Sequence, residues 1–348
     1  MASVANPAGR TPNPDASLDE LDETLDEILD VDLLLFERGD SAKRAAIVDG
    51  VMRSLRTGFV FTAHDLSEDL LDTAYALLQQ FYALAPEVKQ SFVAAGTHGQ
   101  TGYTGLLVET AAIADKPDWK EMLNWGREIP EGHPLRSKFP SSYPKQVFPE
   151  SVIPGISKVL TEFHDRVFDV QRRFLHIIAL GLGCHEDFFE MMLKNGSTLT
   201  RSIHYPSMAN VPGEGHVWAA EHGDINLITA LPRATTRGLQ VKLANGTWVD
   251  AVAPDGQVII NTGMMLEQLT NGLVRTGPHR VVATAGQNED RYSVVQFCHP
   301  TPWTILSPLA SCVSPEFPQR FPAISAADKL AEVIWSINLI EDGRRVVD

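Results

Sequence analysis

From Ser197 to Pro302 the chain is written as short β-like runs, bounded by Gly, Pro and Asn, that recur at intervals of roughly ten residues. This texture restricts the fold more than any other feature. Short strands at that spacing suggest a double-sheet jelly roll. Upstream the pattern is helical, and a further helical stretch follows near the end, so helices would pack outside the barrel. The expected class is α+β: a distorted double-stranded β-helix barrel with flanking helices drawn mainly from the N-terminal half. The chain has 348 residues, 44% of them hydrophobic, enough for a sizeable core. Barrels of this size are often single domains. One domain is therefore expected over residues 31–340, comprising a mixed region 31–150, a jelly-roll core 197–302 and a C-terminal helix 326–340.

Hydrophobic spacing divides the first half. Residues 1–14 are small and Pro-rich, and residues 15–32 carry nine acids with no Lys or Arg. Residues 1–30 read as a flexible acidic segment, with Leu18, Leu21, Leu25, Ile28 and Leu29 at helical spacing. Residues 32–36 read as a strand, 41–55 as a helix capped by Ser41, 58–62 as a strand and 67–84 as a helix. Residues 96–105, rich in Gly and Thr, read as a loop. Residues 130–154 hold six prolines and read as irregular, and 156–182 as a long helix.

The net charge is −15 and no cluster of Lys or Arg stands out, which argues against nucleic acid or an anionic membrane surface as partner. Cys184, Cys298 and Cys312 form no C-x-x-C pair and fit a reducing compartment. No apolar run reaches the ~18 residues of a membrane span, and no N-terminal signal core is present. A cytoplasmic location is expected. The oligomeric state leaves no mark on the sequence.

Within the β-like half, His222-Gly223-Asp224 precedes an apolar run, and His279 lies in a second β-like stretch. Two histidines and a carboxylate are the ligand types of a non-haem Fe(II) site with open positions. On a strand, i and i+2 share a face, so one strand end could supply two ligands and a distant strand the third. Arg291-Tyr292-Ser293 is another i, i+2 pair, able to hold a carboxylate by two charge-assisted contacts. Iron beside an anchored carboxylate suggests O2 activation with a 2-oxo acid. Short patterns also recur by chance: His185-Glu186-Asp187 has the same spacing, but its context is a loop with Asp187 placed to cap a helix.

Many motifs stand in order: Thr57-Gly58-Phe59-Val60, residues 80–89, Gly102-Tyr103, Asp118-Trp119-Lys120-Glu121, His204-Tyr205-Pro206, His222-Gly223-Asp224, Thr270-Asn271-Gly272, His279-Arg280-Val281 and Arg291-Tyr292-Ser293. Together, over roughly residues 31–340, the chain resembles the Fe(II)/2-oxoglutarate-dependent dioxygenases of the isopenicillin N synthase-like group. The resemblance implies iron on His222, Asp224 and His279, 2-oxoglutarate on Arg291 and Ser293 with Tyr205 adding a hydroxyl, and O2 as oxidant. It implies hydroxylation of a small metabolite as the default outcome, desaturation and ring closure sharing the same hydrogen abstraction. Two rivals remain open: an iron oxidase that uses O2 without 2-oxoglutarate, as isopenicillin N synthase does, and a non-catalytic binding protein on the same scaffold.

The chain departs from the group's pattern at Ile203, where many members have Asn, and at Met264, where Asp is frequent. Residues 222–229 are locally close to isopenicillin N synthase itself, so the Arg-x-Ser motif says that a carboxylate binds without saying whose. Substrate contacts are expected from Arg201, on Tyr205's face of the strand and about 13 Å away by strand rise, and from Ile203, Tyr103, Leu107, Asn124, Trp125, His216, Trp218 and Phe297. Tyr103, Leu107, Asn124 and Trp125 are assigned to an irregular region covering the barrel mouth, and His204 is expected to point outward.

Overall fold

The computed structural model describes residues 27–97, 99–109, 116–284 and 286–336. Its strands are, in chain order, β1 (Asp30–Asp32), β2 (Phe59–Ala63), β3 (Gly102–Thr104), β4 (Glu121–Gly126), β5 (Leu199–Tyr205), β6 (Ala219–His222), β7 (Ile228–Ala234), β8 (Leu239–Lys242), β9 (Trp248–Asp250), β10 (Gln257–Thr262), β11 (His279–Val281), β12 (Arg291–Cys298), β13 (Ile305–Leu306) and β14 (Ile324–Ser325). The larger sheet has the order β1-β2-β10-β7-β12-β5-β4-β3 and the smaller one β6-β11-β8-β9. The two sheets face each other as a jelly roll, and helices cover the outer side of the larger sheet.

Period-2 alternation sorts each central strand between two cores. Inward residues such as Ile203, Tyr205 and Ile259 pack with Trp218, Leu239 and Val241 between the sheets. Outward residues such as Val258, Ile260, Val294 and Cys298 pack under the helices Glu68–Tyr82 and Ile156–Gly181. The long helix reads as sequence spacing expects: Leu160, Phe163, Val167, Val170, Phe174 and Ile177 form its buried stripe. Its polar residues also tie it to the sheet. Gln171 Nε2 donates to the carbonyls of Ile228 and Gln296, at 3.1 and 2.9 Å.

Several local expectations are revised. Residues 33–38 are a helix capped by Asp32, whose carboxylate accepts from Leu35 N; the strand is only Asp30–Asp32. The next helix is capped by Asp40, one residue before Ser41. Gly102–Thr104 is a strand inside the expected loop, paired with β4. Residues 27–29 are irregular, and the rest of the acidic segment lies outside the described residues. The final helix is described over Ala326–Ser336.

Candidate active site

The smaller sheet sets two histidines opposite each other. β6 ends at His222, β11 begins at His279, and the antiparallel register pairs them, with ring centroids 4.4 Å apart. Asp224 does not share a strand with His222: β6 stops and the chain turns through Gly223. A Cβ at Gly223 would meet Thr276 Cγ2 at 2.6 Å, so this close approach needs glycine. The larger sheet then fixes Asp224. Its Oδ2 accepts from Asn261 Nδ2 at 2.7 Å and from Thr229 Oγ1 at 2.5 Å, while Oδ1 lies 4.0 Å from His279 Nε2.

Backbone carbonyls set both tautomers. His222 Nδ1 donates to Ala220 O at 2.8 Å, and His279 Nδ1 to Gly277 O at 3.0 Å. Each Nε2 is thereby available as a lone pair. One ligand atom from each of the three residues lies within 4.8 Å of the others, a grouping that could hold a metal ion. Burial pulls His222 down to about 4, and the neighbouring His279 adds to the effect. Burial pushes Asp224 up, but His279 and His222, with the Thr229 and Asn261 hydrogen bonds, outweigh it and hold the carboxyl below its usual range. At neutral pH His222 thus offers a neutral imidazole and Asp224 a carboxylate, the states a divalent ion requires.

Two cavities meet at this cluster, and His222 and Asp224 line both. The inner cavity runs between the sheets and includes Tyr205, Arg291 and Ser293. Arg291 is 1% exposed. Its Nη1 donates to Ser293 Oγ at 3.0 Å, its Nε to Thr236 O at 3.2 Å, and its guanidinium lies 5.0 Å from the Tyr205 ring centroid. Burial lowers its affinity for the proton. Among the described residues it has no carboxylate partner. The outer cavity opens on the other side of the cluster, beneath Leu330 and Ile334 of the final helix, with Arg201, Phe297 and His299 on its walls.

The expected substrate contacts divide. Arg201 and Phe297 line both cavities and Ile203 the inner one. Tyr103, Leu107, Asn124, Trp125, His216 and Trp218 line neither. Asn124 and Trp125 belong to β4, not to an irregular cover. Trp125 points to the helix side, fully buried, and donates Nε1–H to Leu160 O at 2.8 Å. Tyr103 is buried beside Phe81 with its hydroxyl on Glu121. His216 Nδ1 lies 2.9 Å from Pro117 O, and Trp218 donates to Pro206 O at 2.8 Å. Leu107 packs against the inner core with a positive φ of 61°. Asn124 acts one step removed, as Oδ1 accepts from Arg201 Nε at 2.7 Å. His204 does point outward, its ring nitrogens on Glu121 and Asp290. His185 and Asp187 pair with each other on the surface, and Asp187 caps no helix.

Sequence reasoning missed Thr229, Asn261 and His299. The missed signal was parity. Asn261 is two residues from inward Ile259, and His299 extends the inward series Arg291, Ser293, Val295, Phe297 by one more step of two.

Two family models match: a non-haem dioxygenase N-terminal model over residues 28–150 and the 2OG-Fe(II) oxygenase superfamily over residues 197–300. Azadirone synthase LFS from Melia azedarach is 31% identical over 279 residues, covering 76% of this chain and 80% of its own. A 2-oxoglutarate-Fe(II) type oxidoreductase of Emericella nidulans, hxnY, is 26% identical and covers 86% of each. A crystal structure of a 2OG-Fe(II) oxygenase family protein from Caulobacter crescentus matches with TM-score 0.77 and 30% identity, over 88% of this chain and 97% of that one. A Neurospora crassa enzyme in complex with alpha-KG and thymine has the same fold at TM-score 0.77 and 23% identity, over 88% of this chain and 96% of that one. The chain belongs to the isopenicillin N synthase-like group of 2-oxoglutarate/Fe(II) oxygenases and is a dioxygenase that uses Fe(II), 2-oxoglutarate and O2.

Proposed function

We propose that His222, Asp224 and His279 hold the Fe(II), that Arg291 and Ser293, with Tyr205 beside them, take the distal carboxylate of 2-oxoglutarate in the inner cavity, and that a small metabolite occupies the outer cavity and is hydroxylated. The observation that carries this reading is Arg291. A buried guanidinium without a counter-ion is costly, and it shares a cavity with three metal-type ligands. Its planar fork suits a carboxylate. When bound, iron supplies O2 activation with 2-oxoglutarate as co-reductant, giving succinate and CO2.

The chain's own residues supply position and dryness. Thr229 and Asn261 occupy Asp224 Oδ2 and so orient the carboxylate, while Ala220 and Gly277 carbonyls hold the two rings. Phe59, edge-on to His279 at 5.8 Å, and Ile203 give the inner cavity apolar walls that exclude water. Phe297 and Arg201 stand at the junction, where the substrate C–H bond is placed. The small-molecule class agrees with neighbours crystallised with thymine and with JA. No described helix is long and apolar enough to cross a membrane; with three free cysteines, this supports a cytoplasmic enzyme.

The test is succinate formation. Protein loaded with Fe(II) and 2-oxoglutarate should release succinate slowly in air and faster when a metabolite panel includes the substrate. Succinate at background throughout, with both ligands saturating, overturns the reading.

A further inference from the structure

We propose that the outer cavity is built for an uncharged polar substrate and that His299 positions it by a hydrogen bond; this rests on the assignment of the outer cavity to substrate above. The charged groups on the wall already satisfy one another. Lys120 Nζ lies 2.8 Å from Asp118 Oδ2 and 3.1 Å from Glu109 Oε2, and Arg201 Nη1 lies 3.5 Å from Glu109 Oε1. Two cations thus meet two anions, all with side chains at most 15% exposed. Burial works against the Glu109 carboxylate, but Arg201 and Lys120 outweigh it and hold it down to about 2. Further contacts hold this cluster in place: Arg201 Nε donates to Asn124 Oδ1, its guanidinium lies 5.4 Å from the Phe297 ring centroid, and Asp118 Oδ1 accepts from Ala220 N at 3.0 Å. A charged substrate would have to break one of these pairs or remain buried without a counter-ion, and either is costly.

His299 is the contrasting group. It is 6% exposed, it lines this cavity, and its imidazole hydrogen-bonds to no described residue. A polar side chain on a cavity wall without a protein partner is available to a ligand. A neutral imidazole there has one N–H to donate and one lone pair to accept. Gln100, on the same wall, is also neutral. Leu330 and Ile334 also line the cavity and suit an apolar body. The ligand class is therefore a neutral molecule with an apolar portion and an amide-like, carbonyl or hydroxyl group.

Matched pairs test the charge requirement. Protein carrying Mn(II) and 2-oxoglutarate, which prevents turnover, is titrated calorimetrically with benzamide against benzoate, cyclohexanecarboxamide against cyclohexanecarboxylate, and indole-3-acetamide against indole-3-acetate. At least one amide should bind tenfold or more tightly than its acid. His299→Ala should weaken that amide by about five- to tenfold, and His299→Gln should restore part of the loss. Glu109→Gln, which leaves a cation unpaired, should move the preference toward the acid. If no amide outcompetes its acid in the wild type, silence from both included, or if His299→Ala changes nothing, the inference fails. 2-Oxoglutarate is titrated separately into the Mn(II)-loaded protein and should bind all variants within twofold of wild type. Its failure to bind would strike the assignment of the inner cavity instead.

Discussion

A guanidinium that is 1% exposed and meets no carboxylate among the described residues invites a direct measurement. Removing one side of a buried, hydrogen-bonded charge pair costs about 2–5 kcal/mol, roughly 30- to several-thousand-fold in affinity. Arg291→Gln should weaken 2-oxoglutarate binding by that order, and Arg291→Lys should recover only part, since an ammonium lacks the fork. If substrate affinity collapses instead and 2-oxoglutarate affects neither protein, Arg291 serves the main substrate. The proposed metal ligands give a second prediction. His222→Ala or Asp224→Ala should lower Fe(II) affinity and abolish turnover with unchanged far-ultraviolet dichroism, while His185→Ala, on the surface, should behave as wild type. Normal turnover of either first variant at limiting iron would sink the assignment. That His222, Asp224 and His279 would come together was legible because ligand chemistry leaves few residue types to choose from. Their supports were less so: that Asp224 would be held by Thr229 and Asn261 depends on strands the sequence does not join.

Elements were legible where their period was long. The helix Ile156–Gly181 shows a six-residue apolar stripe and needs no tertiary information. Residues 33–38 misled because Leu-Leu-Leu-Phe fits a short buried strand as well as a helix, and the Asp32 cap decides between them. Strand β4 carries Asn124 on one face and Trp125 on the other, and sequence alone made both a cover for the barrel mouth. Trp125 tests the correction. Trp125→Phe removes its hydrogen bond to Leu160 and some packing against Phe163, so urea unfolding should show a loss of about 1–2 kcal/mol. The concentration of substrate giving half-maximal succinate release should stay within twofold. A larger kinetic change would return Trp125 to the substrate wall.

At the scale of the molecule, buried histidines link stability to pH. His164 and His299 are each drawn by burial to about 4, below the unfolded value of 6.5. Between these values the unfolded chain binds more protons than the folded one, so stability falls as pH falls from about 6.5 toward 4 and is fully present above. Each contributes on the order of 3 kcal/mol. The urea midpoint of the metal-free protein should decline through this window, and His164→Gln should flatten the decline; a midpoint flat from pH 7 to 4.5 would refute it. The jelly roll itself was legible from strand spacing. The pairing order, with β2 and β10 far apart in sequence yet adjacent, was not, because it is set by which faces bury together.

The two cavities draw their walls from different kinds of structure. The inner one is lined mainly by strand residues, with Lys120 and Asp224 from the turns beside them, and it shares Arg201, His222 and Phe297 with the outer one. The outer one takes Glu109 from a loop, His299 from beyond the end of β12, and Leu330 and Ile334 from the final helix. On the proposed assignment, oxygen chemistry resides mainly in the scaffold, and selectivity depends in part on attachments to it. Grafting those attachments from a homologue onto this barrel should redirect its choice of substrate while leaving the iron and cosubstrate positions as they are.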